Sequence, residues 1–197
     1  MKILIACEES QVICKEFRKL GHEAFSCDIL PCSGKHPEWH IQGGVLEQLN
    51  KGWDLMIAHP PCTYLSRAGT RWLFAGHELN QERYEKGLEA KEFFMKLLNA
   101  DIPRIVIENP VPHKVFDMPK ETQKIQPYEF GHPHQKATLL WIKNLPNLKS
   151  TKIVEPEYYI CKKGWRHSKF CANWDGKKKS KTFPGIAKAM AEQWGSS

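Results

Sequence analysis

No stretch of the 197 residues approaches the apolar length needed to cross a bilayer. The only apolar run near the start, residues 3–7, is too short for the hydrophobic segment of a secretion signal. The seven cysteines, at positions 7, 14, 27, 32, 62, 161 and 171, are scattered and odd in number, so a disulfide framework is not expected. These absences argue against a membrane-embedded or exported chain and lead us to expect a reduced, cytoplasmic compartment. Cys161, His167 and Cys171 lack both finger spacing and a clear fourth ligand, so no metal site is expected.

Acidic residues are scarce in one place. Residues 143–181 hold 11 Lys or Arg against Glu155, Glu157 and Asp175, a net +8, which leaves −1 for the rest of a chain whose total is +7. The same stretch carries Tyr158, Tyr159, Trp165, Phe170 and Trp174. Basic residues interleaved with aromatics suit a phosphate-facing surface, although a charge run of this kind is also compatible with a solvated tail. Apolar residues make up 41% of the chain, enough for the core of one domain of ordinary size.

What is present reads as alternating strands and helices. Residues 2–6 form an apolar strand, followed by a helix with Ser10 as its N-cap, an apolar face of Val12, Ile13, Phe17 and Leu20, and Gly21 at its end. A second strand over 23–27 closes on Asp28. This βαβ opening implies a parallel sheet, and an acid at the end of the second strand is placed to bind ribose hydroxyls; capping a turn is the other use of Asp28. After a loop over 31–44, residues 45–50 suit a single helical turn. The run Leu55-Met56-Ile57-Ala58 is a short buried strand stopped by Pro60 and Pro61, with Cys62 next. By composition alone that thiol is as consistent with packing as with chemistry.

A loop over 63–76 holds Arg67, Arg71, Trp72 and Phe74, a combination suited to nucleic acid, and a helix follows over 80–100 with Tyr84, Leu88, Met95 and Leu98 on its inner face. Residues 103–110 give a strand with Glu108 at its carboxyl end, an acid that needs a partner, a capping duty or a chemical role. Two more strands, over 124–130 and 137–143, flank Gly131-His132-Pro133-His134, and the chain closes on a helix over 186–194.

Pro61-Cys62 with Ser66, Ala68 and Gly69, followed by Glu108-Asn109, resembles the catalytic loops of the cytosine-C5 DNA methyltransferase family. Thr63, Leu65 and Pro110 replace the family's usual Gln, Phe and Val, and Phe130-Gly131-His132-Pro133-His134-Gln135-Lys136 matches in part a later segment, with Lys136 at an arginine position. The family's glycine-rich first turn is replaced by Ala6-Cys7-Glu8-Glu9-Ser10, and Gly44 stands where the family has an acid.

The resemblance implies an α/β fold, a doubly wound, mostly parallel sheet of the S-adenosylmethionine-dependent, Rossmann-like methyltransferase type. It implies a catalytic core over 1–143, a short basic insertion over 144–181 as a reduced target-recognition region, and a closing helix over 182–197. Cys62 becomes the nucleophile and Glu108 the acid that holds the base. Pro61, Ser66, Arg67, Asn109, Lys136 and Arg166 become substrate contacts, and Ala6, Cys7, Glu8, Ser10, Asp28, Ile29, His59 and Pro60 contacts to S-adenosylmethionine. DNA is the implied partner and a monomer the expected state. A free cytosine nucleotide or RNA is the alternative substrate, and a non-catalytic nucleic-acid-binding relative the alternative outside enzymes.

Overall fold

The computed structural model describes residues 1–75, 78–171 and 181–196, with the backbone alone for Thr70, Arg71, Ala75 and Cys171. Gly76, Trp174 and the lysines at 177–179, all part of the stretches singled out above, lie outside the described residues.

The runs Lys-Ile-Leu-Ile-Ala and Leu-Met-Ile-Ala are apolar at successive positions, the pattern of strands covered on both faces. They form β1 (Lys2–Ala6) and β4 (Leu55–Ala58), paired in parallel at the centre of a seven-stranded sheet. With β2 (Glu23–Asp28), β3 (His40–Gln42), β5 (Arg104–Pro110), β6 (Gln123–Ile125) and β7 (Thr138–Lys143) the order is β3-β2-β1-β4-β5-β7-β6. All neighbours from β3 to β5 run parallel, and β7 lies antiparallel to both β5 and β6. This is the expected doubly wound, mostly parallel α/β sheet.

Successive strand residues point to opposite faces, and the two cores sort by that rule. Ile3, Ile5, Leu55, Ile57, Val106 and Leu140 share one core with Ile13 and Phe17 of α1 (Val12–Lys19) and with Ile186, Met190 and Trp194 of the last helix. Leu4, Ala6, Met56, Ala58, Ile105, Ile107 and Trp141 share the other with Phe94 and Leu97 of α2 (Gln81–Leu98). The last helix, α3 (Pro184–Trp194), starts with a proline in its first turn, where no amide partner is lost.

Several local expectations are corrected. Ser10 does not cap α1. The residue before the helix is Gln11, in a left-handed conformation with φ 57°, and no hydroxyl reaches the helix amides. Instead the Glu8 carboxylate accepts from the amides of Ile13 at 2.7 Å and Cys14 at 3.3 Å. Leu20 falls at the end of α1 and is 49% exposed, because Gly21, at φ +82°, turns the chain away there. Of the expected inner face of α2, Tyr84, Met95 and Leu98 are half-buried against the core, but Leu88 is exposed, and the buried positions are Gly87, Phe94 and Leu97. Gly87 admits the ring of Phe116, which any Cβ at that position would strike.

Asn80 caps α2, its side chain accepting from the Arg83 amide at 3.0 Å. The expected turn near residue 45 is a single 3₁₀ turn, Val45–Gln48. In place of one strand over 124–130 the chain makes the short β6 and a 3₁₀ turn, Pro127–Glu129, since Pro127 cannot donate to a ladder. In the basic stretch a small antiparallel hairpin forms from β8 (Tyr158–Ile160) and β9 (Arg166–Ser168). Among the described residues no helix is long and apolar enough to cross a membrane.

Candidate active site

The carboxyl ends of parallel strands in an open α/β sheet leave a crevice where ligands bind. Here β1, β2, β3 and β4 end on a cavity of about 640 Å³. Its walls include Cys7, Asp28, Ile29, Gly44, His59 and Pro61. A smaller cavity of about 230 Å³, sharing Cys7, Asp28, Leu30 and His59, reaches Glu8, Ser10 and Thr182. Of the residues expected at a cofactor, Cys7, Asp28, Ile29 and His59 line the larger space and Ser10 the smaller. Ala6 is fully buried in the sheet and Pro60 is buried behind the wall.

Glu8 stands apart from that expectation. Its two oxygens are taken by the amides at the start of α1, and the residue is 6% exposed. Burial pushes its carboxyl up to about 7, against the opposing pull of His59 and the helix amides. The carboxylate thus fills the helix N-terminus, a position that suits an anion. Cys7 and Gln11 hold φ of 60° and 57°, a conformation that glycine adopts without penalty and other residues only at some cost. The tight first turn forms without a glycine.

Two chemistry-bearing segments leave β4 and β5 side by side. The register pairs Ala58 with Ile107, so His59 stands opposite Glu108 and Pro60 opposite Asn109. Alternation sends His59 and Glu108 to the face of α1 and α3. There His59 Nδ1 lies 3.4 Å from Glu108 Oε2, with side chains 14% and 11% exposed. Thr182 Oγ1 donates to the same Glu108 oxygen at 3.3 Å. Asn109 Nδ2 donates to the Pro60 carbonyl at 3.5 Å and ties the two strand exits together.

The loop carrying Cys62 is fixed at both ends. The amides of Leu65 and Ser66 donate to the Cys62 carbonyl at 3.1 and 2.9 Å, and those of Arg67 and His113 cross-link it to the chain beyond Asn109 through the carbonyls of Val111 and Leu65. Ser66, expected to touch substrate, is buried, and its hydroxyl accepts from the Gly69 amide at 3.1 Å, so it shapes the loop. Gly69 passes so close to the Thr63 carbonyl that no side chain fits there. Pro61 and Arg67 are exposed beside the half-buried Cys62.

Electrostatics divide the two candidate catalytic groups. Burial raises the Cys62 thiol; the Lys136 ammonium counters it and the Glu108 charge adds to it. Burial also opposes the charge on Glu108, but His59, Lys136 and Thr182 outweigh it and hold the carboxyl below its usual range. Lys136 lies within about 6 Å of the rings of Phe170 and Phe183, at 5.9 and 6.0 Å. Arg166 sits on the outer hairpin with its guanidinium 3.6 Å over the Tyr158 ring, and the hairpin docks beside Lys136 through the Gln135 amide and Ser168 Oγ at 3.1 Å.

Sequence reasoning missed Thr182, which reaches Glu108 across 74 positions with no local pattern to betray it. It also missed the pairing of His59 with Glu108, for which strand alternation and parallel register were sufficient signals. Among the described residues no group of three His, Cys, Asp or Glu side chains is placed to hold a metal.

No protein-family model and no curated protein matches the chain. Among the solved structures that are similar is a candidate DNA modification methyltransferase encoded within an E. coli prophage, at a TM-score of 0.45 and 11% identity. The match covers 78% of this chain and 51% of that one, so the chain spans about half the length of that protein.

Proposed function

We propose that this chain is an S-adenosylmethionine-dependent methyltransferase acting on C5 of cytosine in DNA, with Cys62 as nucleophile. The observation that carries the reading is the convergence of Cys62 and Glu108 from adjacent parallel strands onto one sheet edge, beside the cavity at the ends of β1 to β4. Cytosine is a poor electrophile at C6 and a poor nucleophile at C5, and covalent addition at C6 relieves both problems.

The residues around the larger cavity fit the cofactor in kind. Asp28 ends the second strand, where a carboxylate meets ribose hydroxyls. Ile29, Val45 and Phe93 offer apolar walls, and Gly44 leaves room for a flat ring. S-adenosylmethionine, when bound, supplies an electrophilic methyl group. The chain's own residues do the rest. The Cys62 thiolate attacks C6 with Lys136 nearby to favour its ionised form. Glu108 faces N3 and the exocyclic amine, stabilising charge that develops on the ring. In a duplex the base must first leave the stack. The basic stretch over 144–181 serves as the reduced target-recognition region, and its shortness favours RNA or a free nucleotide as the second reading.

The test is methyl transfer from labelled S-adenosylmethionine to DNA, transfer RNA and dCMP side by side, with trapping on DNA containing 5-fluorocytosine. DNA is expected to be labelled and trapped. Cys62→Ala is expected to lose both, and retained turnover in that variant removes Cys62 from the reaction.

A further inference from the structure

Resting on that reading, we infer that His59 is the proton reservoir of the site: its imidazole ring lends a proton through Glu108 to N3 of the base while Cys62 adds to C6, and recovers it when the thiolate leaves. His59 is the residue before Pro60-Pro61-Cys62, so the strand end that delivers the nucleophile also delivers this ring. Its Nδ1 is 3.4 Å from Glu108 Oε2, and both side chains are nearly buried. Its Nε2 is buried with no partner among the described residues, yet the ring lines both cavities. A buried imidazole nitrogen left unpaired is costly unless it has a task.

The groups around the ring come from four elements. Glu108 lies near the carboxyl end of β5, Glu8 sits in the turn before α1, Lys136 precedes β7, and Thr182 precedes α3. Burial disfavours the ring's charged form, but Glu108 and then Glu8 overcome that cost, against a smaller opposing effect of Lys136, and hold the imidazole above its ordinary range. Glu108, held ionised by the same contacts, has no proton of its own to give. Protonation of N3 by Glu108 therefore needs a donor behind it, and His59 is the group in reach.

The step balances. The thiolate pair forms the S–C6 bond, the C5–C6 π pair moves to C4–C5, and the C4–N3 π pair takes up the proton that passes from Nδ1 through Oε2. After C5 has gained a methyl group and lost its own proton to water, the C5–C6 double bond re-forms and the S–C6 pair departs on sulfur. The N3 proton returns through Glu108 to Nδ1. His59 touches Glu108 rather than the base, so it is a positioning and proton-holding residue.

Two measurements test this. Histidine-selective NMR titration of the wild type should show His59 titrating above 6.5, and Glu108→Gln should move that midpoint down; an unchanged midpoint overturns the coupling whatever the protein catalyses. In methyl transfer, kcat should fall on the alkaline side through the same midpoint. His59→Gln keeps an N–H toward Glu108 but no ionisable proton; measured at saturating S-adenosylmethionine, it should lose at least about tenfold in kcat and the alkaline limb, with KM for DNA unchanged. Equal kcat in His59→Gln overturns the relay alone. A wild type with coupled titration but no methyl transfer overturns the parent reading and the relay with it. Should His59→Gln fail to fold, the wild-type profile decides, since an alkaline limb away from the NMR midpoint refutes the reservoir.

Discussion

Single side chains do unusual work at the first turn. Glu8 seals the start of α1 with its own carboxylate. Burial raises its carboxyl from 4.5 to about 7, so the folded protein holds that proton more tightly than the unfolded chain. The contribution is present in full below 4.5 and is lost as pH rises to about 7, with a size on the order of 3 kcal/mol. Glu8→Gln removes the titration. Thermal melts at pH 4.5 and pH 8 should show the variant gaining on the wild type at the higher pH, by on the order of 5–10 °C. A gap that stays constant between those pH values refutes the account. Cys62 and Glu108 stood out as candidates because they follow apolar runs and resemble a known pattern. Glu8's duty did not stand out, since one glutamate at a turn reads equally as ligand, cap or surface charge until the helix start is fixed to the residue.

At the scale of elements, unbroken apolar runs identified β1, β4 and β5 from composition alone. α2 was harder. Its sequence offers apolar residues all around, and the buried face is chosen by Gly87, whose missing side chain lets Phe116 press against the helix backbone. A glycine inside a helix costs about 1 kcal/mol relative to alanine, so Gly87→Ala would stabilise an isolated helix. In this fold the added methyl strikes the Phe116 ring, which also stacks on Tyr84 at 5.8 Å. The expected outcome is a net loss of about 1–3 kcal/mol in denaturant unfolding, partly recovered by adding Phe116→Leu. A gain in stability would show that the ring moves aside freely. The same tertiary preference explains Leu20, which belongs to the apolar pattern of α1 but falls where the helix has already ended.

The whole molecule divides its charge between a near-neutral body and a basic stretch whose described part presents Lys162, Lys163, Trp165 and Arg166 to solvent. If that stretch meets phosphates, binding to duplex DNA should weaken steeply with salt. Lys162→Glu with Lys163→Glu should reduce the slope of log affinity against log salt by about 1–2 and leave S-adenosylmethionine affinity unchanged, as read by anisotropy and calorimetry. An unaltered slope would remove the hairpin tip from the interface. A different consequence follows from α3, which buries Ile186, Met190 and Trp194 in the core that also holds Ile3 and Ile5 of the first strand. During synthesis that sheet face is covered only in part, by Ile13 and Phe17 of α1, until residue 194 has cleared the ribosomal tunnel, and Glu108 lacks its partner until Thr182 has been made. A nascent chain is thus both sticky and inert, and whatever chemistry the pocket performs is withheld until translation has passed the last turn of the final helix.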